Sequence, residues 1–541
     1  MNNELYYGDN LEIIRNHIKD DSVDLIYLDP PFNSKKNYNL LFKSSKTLQS
    51  QAQIEAFEDT WVWSMEAEDA FDQVMHSTYT DASTMLRAIR ALLRENDMMA
   101  YLTMMCVRLL ELHRVLKPTG SIYLHCDPTA SHYLKILMDS IFGKNNFRNE
   151  ITWKRTGSHN DSKNKYPNVS DIILFYSKGK DIYFNPQYNE HNPEYIKKSY
   201  RFDDGDGRGV YMLDNMSSPS PRPNMMYEWK GYGYPKKGWR YQRDTMQQLH
   251  DEGRVNYPAD KEGNPEYYKR LTLKRYLNEQ KGLLVTNIWT DIPPLGANAK
   301  EYLGYPTQKP VSLLERIIAT SSKEGDTVMD PFCGCGTAIH AAEKLGRRWI
   351  GIDITNLAIS LIEKRLYDAF NDARFTVHGT PKDLEGARAL AQKDKYQFQW
   401  WAISLIKQAV PYGGKKKGAD GGIDGLVHFK PDNKNTEIAI ISVKGGENVS
   451  VAMIRDLGHV VEREGAKIGI FITLVSPTTP MIAEAAKLGY YETEYGKYPK
   501  MQIFTITDLL NGAKPHIPLI DSSGFKKATK ESRNVQVGLD I

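Results

Sequence analysis

Apolar runs of strand length recur along the first 380 residues, and three of them end in an acidic residue. Residues 23–28 are followed by Asp29, residues 327–329 by Asp330, and residues 349–352 by Asp353. Short apolar runs bounded by turn residues predict buried strands. We therefore expect three strands that each end in a carboxylate, the first of which opens into a cleft.

The second of these runs leads into a glycine turn, Asp330-Pro331-Phe332-Cys333-Gly334-Cys335-Gly336-Thr337, and then into a helical stretch. A unit of strand, glycine turn, helix and strand brings backbone close to a nucleotide-like ligand, and the acid that ends the second strand accepts hydrogen bonds from ribose hydroxyls. The turn lacks both the GxGxxG spacing of dinucleotide sites and the Lys-Ser/Thr ending of a phosphate loop. The pattern that remains fits S-adenosylmethionine.

The first run ends in Asp29-Pro30-Pro31-Phe32. The carboxylate and the Pro30 carbonyl can accept the two hydrogens of an exocyclic amine, and Pro31 fixes the backbone between them. Phe32 offers a ring on which a base can stack. The structural alternative is a strand followed by a proline-stiffened turn.

Further strands are predicted over residues 120–126, 147–153 and 171–176. In the first of them, His125 and Asp127 either border a base pocket or form a satisfied structural pair, and we favour the pair. Apolar residues at helical spacing, Leu313, Leu314, Ile317 and Ile318, predict a helix. The structural alternative for that segment is a plain proline-capped amphipathic helix.

Composition narrows the class of protein. A chain of 541 residues is too long for one core and suggests about three domains. Charged residues make up 25% of the chain, and we find no apolar stretch of membrane-span length and no secretory signal. Four cysteines give neither a disulfide framework nor a zinc spacing, so we expect a reducing cytoplasm.

A net charge of +3 is small for a protein that binds nucleic acid, so affinity for DNA would depend on local clusters. Residues 228–243 interleave cations with aromatic rings, which suit phosphates and exposed bases. The alternative is an ordinary surface loop region. The expected DNA contacts there and near the catalytic segment are Trp229, Lys236, Lys237, Trp239 and Arg240, with Lys154 and Arg155 after a strand and Lys35 and Lys36 beyond Phe32.

Together, Asp29-Pro30-Pro31-Phe32 and the turn at 330–337 resemble the beta group of DNA amino-methyltransferases, in which the catalytic motif precedes the cofactor turn. The resemblance implies a Rossmann-like, circularly permuted α/β fold of the class I S-adenosylmethionine-dependent methyltransferases, with a mixed seven-stranded sheet. The implied domains are a catalytic half at 1–180, a target-recognition insert at 181–300 and a cofactor half at 301–380. The residues that match the family's cofactor-binding positions are Asp9, Gln308, Lys309, Pro310, Asp330, Phe332, Gly334, Gly336, Thr337 and Asp353.

The resemblance also implies the reaction, which is methyl transfer to adenine N6 of double-stranded DNA by base flipping. Adenine is preferred over cytosine N4 because family members whose motif begins with Asp mostly modify adenine. We expect a role in a restriction-modification system, with a restriction subunit as a possible partner, a homodimer as a possible state and no membrane. A non-catalytic DNA-binding protein fits poorly with an intact catalytic motif.

A second domain, at 396–520, is expected after a charged linker at 381–395. Its predicted helix at 398–406, with Asp424 before a strand and Lys444 on the next, resembles Mrr-like PD-(D/E)xK restriction endonucleases. The resemblance implies that Asp424 holds Mg²⁺ and Lys444 orients water. Ser442 stands where that family has Glu or Gln. Asp420 or Glu437 could supply the missing oxygen, and the alternative is that each is an ordinary solvated turn or strand-edge residue. The domain is therefore an active nuclease, an inactive DNA-binding remnant or an unrelated α/β domain, and the rival function for the whole chain is a restriction enzyme with both activities.

Overall fold

The computed structural model describes most of the chain in ranges separated by short gaps. The described residues are 3–31, 37–41, 53–58, 62–157, 164, 166–296, 299–303, 305, 307–406, 409–412, 422–432, 435–494, 496–518 and 530–531. Phe32, Lys35, Lys36 and Asp420 lie outside them. The chain divides into two units, one made of Met1–Asn185 with Asn287–Ile541 and one made of Pro186–Thr286.

A mixed sheet of nine strands, counted over the described ranges, organises the first 380 residues. The strands are β1 (Asn3–Tyr7), β2 (Val23–Leu28), β3 (Leu116–Cys126), β4 (Phe147–Lys154), β5 (Ser170–Ser177), β6 (Ile288–Trp289), β7 (Thr327–Asp330), β8 (Arg348–Asp353) and β9 (Phe375–His378). Their order across the sheet is β6-β4-β5-β3-β2-β7-β8-β1-β9. Only β5 runs antiparallel to its neighbours. The Rossmann-like α/β class is confirmed, but seven strands was wrong, because the short strands β6 and β9 extend the two edges.

Strand β2 lies beside β7, although about 300 residues separate them in the chain. Leu25 pairs with Val328 and Ile26 with Met329, both in parallel. The order of strands reverses at this place, and the carboxyl ends of both strands open at the same edge of the sheet. Such a switch point is where α/β proteins bind ligands.

Helices cover both faces of the sheet. They are α1 (Asn10–His17), α2 (Met65–Met75), α3 (Thr80–Leu93), α4 (Asp97–Val115), α5 (Ser131–Met138), α8 (Val311–Ser321), α9 (Thr337–Lys344) and α10 (Asn356–Ala369). Helix α4 is apolar on most of its surface and is buried against β2 and its neighbours through residues such as Leu102 and Leu109. Strands Asn37–Leu41 and Gln53–Glu58 form a separate hairpin.

The unit Pro186–Thr286 has its own sheet and core. Strands Tyr211–Asn215, Val255–Asn256 and Thr272–Tyr276 pair antiparallel, and helices α6 (Pro193–Ser199) and α7 (Arg243–Asp251) accompany them. A short pair, Tyr188–Asn189 with Leu283–Leu284, joins its two ends. Its buried residues include Met216, Trp229, Tyr232, Trp239 and Met246.

The C-terminal region contains a second mixed sheet, in the order β10-β11-β12-β13-β14. These strands are β10 (Ala409–Pro411), β11 (Gly425–Phe429), β12 (Glu437–Lys444), β13 (Ile468–Thr473) and β14 (Met501–Thr505). The accompanying helices are α11 (Leu384–Lys393), α12 (Lys395–Ser404), α13 (Val451–Arg463), α14 (Thr479–Lys487) and α15 (Ile506–Leu510). Strands Tyr490–Thr493 and Gly496–Pro499 form a hairpin beside them.

The charged linker expected at 381–395 is wrong, because most of it forms helix α11. Asp383 caps that helix by accepting a hydrogen bond from the Gly386 N–H. Ala387, Leu390 and Ala391 then bury one face of α11 in the core of the C-terminal sheet. Within the described ranges, we find no helix that combines the length and the apolar character needed to cross a membrane.

Candidate functional site

Asp29 lies directly after β2 at the switch point, and its side chain is 16% exposed. Its Oδ2 accepts a hydrogen bond from Lys309 Nζ, which is itself 12% exposed. Among the described residues, neither Asp29 Oδ1 nor the Pro30 carbonyl oxygen accepts a hydrogen bond. Two acceptors of adjacent residues are therefore open at this edge of the sheet, with Pro31 after them.

The glycine turn follows β7 and is held by short backbone contacts. Gly334 has φ +48° and Gly336 has φ +73°, which are left-handed values that favour glycine. A Cβ on Gly336 would come within 2.7 Å of Ile362 Cγ1. Helix α9 begins at Thr337, so the turn and the first backbone N–H groups of the helix lie next to the end of β8.

Two buried aspartates flank this turn. Asp330 Oδ1 accepts from the Phe332 N–H at 3.0 Å, and Asp353 Oδ2 accepts from the Gly334 N–H at 2.9 Å. Burial raises the pKa of Asp330 well above its usual range, and the nearby charges of Asp29 and Asp353 raise it further. Burial also raises the pKa of Asp353, although hydrogen bonds from Thr355 and Gly334 act in the opposite direction.

Ile354 is a candidate site residue that sequence reasoning did not name. It follows Asp353 directly and is 59% exposed. An apolar side chain in this place could cover a face of an adenine ring if Asp353 holds a ribose. The sequence offered one clue, which is its place immediately after the acid that ends β8.

Asp9 lies beside Asp353, because Tyr7 pairs with Asp353 and the Gly8 N–H donates to the Asp353 carbonyl. Its Oδ1 caps helix α1, and its Oδ2 forms an ion pair with Arg108 at 2.8 Å. The neighbouring Asn10 donates to the Pro331 carbonyl at 2.8 Å. Asp9 therefore lies next to the glycine turn, but its carboxylate already caps helix α1 and forms an ion pair with Arg108.

The segment at 307–310 opens helix α8, in which Leu313, Leu314, Ile317 and Ile318 are all buried as predicted. Pro310 occupies the N-cap position. Gln308 folds back on its own loop, with Nε2 donating to the Glu301 carbonyl at 2.6 Å and Oε1 accepting from the Leu303 N–H at 2.8 Å. Of the residues expected on the cofactor here, Lys309 instead points to Asp29.

A chain of polar side chains runs from β2 across β3 to β5 and is buried except at Arg155. Tyr27 Oη lies 2.9 Å from His125 Nδ1, and His125 Nε2 lies 3.2 Å from Asp171 Oδ2. Arg155 Nε lies 2.9 Å from Asp171 Oδ1. Burial alone would raise the pKa of Asp171, but His125, Lys309 and Arg155 lower it overall.

These contacts correct the pairing expected for His125. Its carboxylate partner is Asp171, whereas Asp127 accepts from the Thr129 and Ala130 N–H groups in a local turn. His125 is fully buried, so it serves as scaffold and does not border a base pocket. Asp171 and Tyr27 were missed, and the only clue to Asp171 was an acid at the start of an otherwise apolar strand.

Four of the cations expected on DNA, Lys154, Arg155, Lys236 and Lys237, are exposed, but the two tryptophans are not. Trp239 is 1% exposed and Trp229 7%, and both pack in the core of the unit Pro186–Thr286. This burial contradicts the expectation that these indoles stack on bases.

The exposed ring of that segment is Tyr234, at 50%. Arg240 is half-buried and donates to the Ser217 carbonyl at 2.9 Å, while Lys237 donates to the Pro219 carbonyl at the same distance. Arg155 remains 46% exposed although it is tied to Asp171. Within the unit Pro186–Thr286, Lys237 and Arg240 are thus held by backbone carbonyls, and Arg155 of the other unit is held by a buried acid.

In the C-terminal sheet, Asp424 and Lys444 lie near each other as expected. Asp424 Oδ2 accepts from the Val443 N–H at 2.6 Å and lies 3.3 Å from Ser442 Oγ, while Gln399 Nε2 donates to Oδ1 at 3.1 Å. Lys444 stands two residues beyond Ser442 on β12 and so shares its face of the sheet.

Glu437 cannot replace the missing acid. It begins β12, five residues before Ser442, which places it roughly 17 Å from that position at the usual rise of a strand. Over the described residues, no group of three or more His, Cys, Asp or Glu side chains is arranged to hold a metal ion. A single carboxylate that already accepts from three donors does not fit a Mg²⁺ site, which requires further oxygen ligands.

Comparisons with known proteins agree with this division of the chain. Residues 23–364 match the family model described as DNA methylase, and residues 391–491 match the model described as restriction endonuclease. The chain is 35% identical over 268 residues to the Type II methyltransferase M.EcaI of Enterobacter cloacae, covering 49% of this chain and 57% of that protein.

The chain is also 26% identical over 354 residues to the Type III restriction-modification enzyme StyLTI Mod subunit of Salmonella typhimurium, covering 62% of this chain and 49% of that protein. It thus spans about half the length of these curated relatives. Among solved structures, the M1.HpyAVI–SAM complex is similar at a TM-score of 0.29 and 16% identity, covering 67% of this chain and 99% of that one. Since the DNA methylase model matches more than half of the chain, around the carboxylates gathered at the switch point, this protein belongs to the N6/N4 DNA methylase family.

Proposed function

We propose that the protein transfers a methyl group from S-adenosylmethionine to the N6 amine of adenine in double-stranded DNA, as part of a restriction-modification system. The observation that carries the proposal is the pair of open acceptors at Asp29 and Pro30 beside the glycine turn. Acceptors of this kind match the two hydrogens of an exocyclic amine. They lie where an α/β sheet binds its ligands.

The residues at the turn fit S-adenosylmethionine. This cofactor supplies a methyl group that is already activated on a sulfonium. The left-handed glycines let backbone approach it, Asp353 Oδ2 accepts one hydrogen bond from Gly334 and can accept another from a ribose hydroxyl, and Ile354 offers an apolar surface to the adenine ring. Asp9, Asp330, Phe332 and Thr337 complete the proposed cofactor surface, while Gln308 and Pro310 act by holding the loop and the helix start.

The chain's own residues must make the amine nucleophilic and aim it. Because the lone pair of an adenine amine is delocalised into the ring, hydrogen bonds from N6 to Asp29 Oδ1 and to the Pro30 carbonyl favour a more tetrahedral nitrogen. Phe32 is proposed to stack on the base. The base has to leave the duplex to reach these groups, which requires flipping.

The proposed DNA contacts are Lys154 and Arg155 in the first unit, with Lys35 and Lys36, and, separately, Lys236, Lys237 and Arg240 in the unit Pro186–Thr286. Exposed cations of this kind neutralise phosphates and give salt-dependent affinity. Tyr234 replaces the two buried tryptophans as the candidate ring for base stacking in the insert. By analogy with the StyLTI protein, whose description as a subunit implies an assembly, a restriction subunit is the proposed partner, and a homodimer is the proposed state of the chain alone.

We derive no cleavage step for the C-terminal domain, because the residues around Asp424 do not fit Mg²⁺. The match to a restriction endonuclease model keeps DNA binding as its proposed role. Asp424 and Lys444 then remain as parts of a nuclease-like framework in which the described residues supply no second acid.

The test is transfer of labelled methyl from S-adenosylmethionine to unmethylated duplex DNA, followed by digestion to nucleosides. We expect label in N6-methyladenine, and a fall of about 10²- to 10⁴-fold in kcat for Asp29→Ala, the range lost with a group that positions or accepts a proton. Label in N4-methylcytosine would change only the target base. Absence of transfer to any DNA would overturn the proposal.

The matched control is Asp69→Ala, which removes an exposed aspartate on α2, far along the chain from both motifs. Its kcat should equal that of the wild type. Equal losses in both variants would show that the assay reports damage to folding and not the loss of an acceptor.

A further inference from the structure

The Lys309 side chain points to the carboxylate of Asp29 and not into solvent. It precedes helix α8, 280 residues away from Asp29 in the chain, yet its Nζ forms an ion pair with Asp29 Oδ2. Both side chains are largely buried, at 12% and 16% exposed. A largely buried pair with a hydrogen bond has a fixed direction, unlike an ion pair on the surface.

The surroundings of Lys309 explain why a cation is needed at this position. Asp29 and Asp330 end neighbouring parallel strands, and Asp353 ends the next one. The charge of Lys309 faces several carboxylates: it pairs with Asp29, it helps to lower the pKa of Asp171, and it opposes the rise that burial causes in the pKa of Asp330. Without this cation, several carboxylates would share a low-dielectric space with little compensation.

The ion pair also determines which carboxylate oxygen of Asp29 can accept a hydrogen bond from the target amine. Oδ2 accepts from Lys309, whereas Oδ1 has no partner among the described residues. An incoming amine therefore meets one oxygen in one orientation. The family resemblance places this lysine at the methionine end of the cofactor, but its observed contact is with the acceptor of the amine.

We propose that Lys309 is a positioning residue that acts through Asp29: it holds Oδ2, fixes the carboxylate plane and reserves Oδ1 for the target amine. The inference rests on the proposed function, because it assigns a further role within that same site. It predicts that Lys309 governs the rate of methyl transfer and leaves cofactor affinity nearly unchanged.

The experiment separates these two quantities in Lys309→Met. We expect kcat for methyl transfer to fall about 10²-fold, the effect of a small misplacement of a reacting group. The Kd for S-adenosylmethionine, measured by equilibrium binding to the same protein without DNA, should stay within about threefold. An increase in Kd of more than tenfold would overturn the inference in favour of a cofactor ligand, and so would an unchanged kcat.

A double-mutant cycle tests whether the effect passes through Asp29. In an Asp29→Asn background, adding Lys309→Met should change kcat by less than about threefold, because the carboxylate that it positions is gone. Fully multiplicative losses would overturn the inference. The double variant removes both charges, so it also keeps the test valid if Lys309→Met alone leaves the buried acids uncompensated and fails to fold.

Lys135→Met is the matched control, since Lys135 is 27% exposed and forms an ion pair with Asp139 at 2.7 Å on helix α5. It should retain wild-type kcat and Kd. Wild-type transfer is measured in the same assay. Its absence overturns the proposed function, whereas wild-type transfer with an unchanged Lys309→Met variant overturns only the role of Lys309.

Discussion

At the scale of single residues, the acids that end the strands were predictable from the sequence, but the side chains that contact them were not. Asp29, Asp330 and Asp353 follow apolar runs, and such local patterns are read directly from sequence. Lys309 and Asp171 reach their partners only through the fold, across 280 and 46 residues. The burial of Trp239 was missed for a related reason, because a segment rich in glycine and proline has no periodicity that separates core rings from surface rings.

Gly336 allows a prediction at this scale. Its φ of +73° is strained for any other residue, and a Cβ would lie 2.7 Å from the buried Ile362 Cγ1. We expect Gly336→Ala to lower the free energy of unfolding by about 2 kcal/mol, from left-handed strain and the overlap together. Urea unfolding measures the change, and binding of S-adenosylmethionine should weaken with it.

Gly446→Ala is the control for this substitution, because a Cβ there meets no atom within 4 Å and no positive φ is involved. Its stability should stay within about 0.5 kcal/mol of the wild type, as for most surface substitutions. If both variants were equally stable, the turn would not need glycine and its close approach to α10 would have to be reconsidered.

At the scale of elements, strand β12 shows how a resemblance can hold for a framework and fail for its chemistry. The order of Asp424, β12 and Lys444 was predictable from the chain. The three donors that engage Asp424 were not, since Gln399 lies 25 residues earlier on helix α12 and reaches Asp424 only through the fold. In this nuclease-like framework the Asp424 carboxylate therefore has a structural role.

This arrangement predicts that the chain of 541 residues does not cut DNA on its own. Plasmid incubated with Mg²⁺, with or without S-adenosylmethionine, should remain supercoiled on an agarose gel, because one engaged carboxylate is a poor Mg²⁺ site. Ser442→Glu restores an acid two residues before Lys444 and is the variant in which cleavage would first be sought. Linear product from the wild type would contradict the prediction and point to a ligand beyond the described residues, such as Asp420.

At the scale of the whole molecule, the methylase region and the C-terminal region share one compact unit, Met1–Asn185 with Asn287–Ile541. Helix α12 contacts both regions. Gln397 accepts from the Asn356 N–H at 3.2 Å at the start of α10, and Trp400 packs against the same cluster, Tyr305 and Cys335, as Leu357 and Leu361 of α10. On its other side, Phe398 and Trp401 enter the core of the C-terminal sheet.

A shared helix should make the two regions unfold together. We expect calorimetry to show one transition for this unit, raised as a whole by S-adenosylmethionine, since a ligand at 100 times its Kd stabilises what it binds by about 2.7 kcal/mol. Trp400→Ala removes the apolar contact to that cluster and should split the transition, leaving a C-terminal step that the ligand does not move. Tyr396→Ala, on the same helix at a side chain 53% exposed, should keep a single transition. Separate transitions in the wild type would mean that α12 belongs to the C-terminal sheet alone. Binding of the cofactor would then not affect the stability of the C-terminal region.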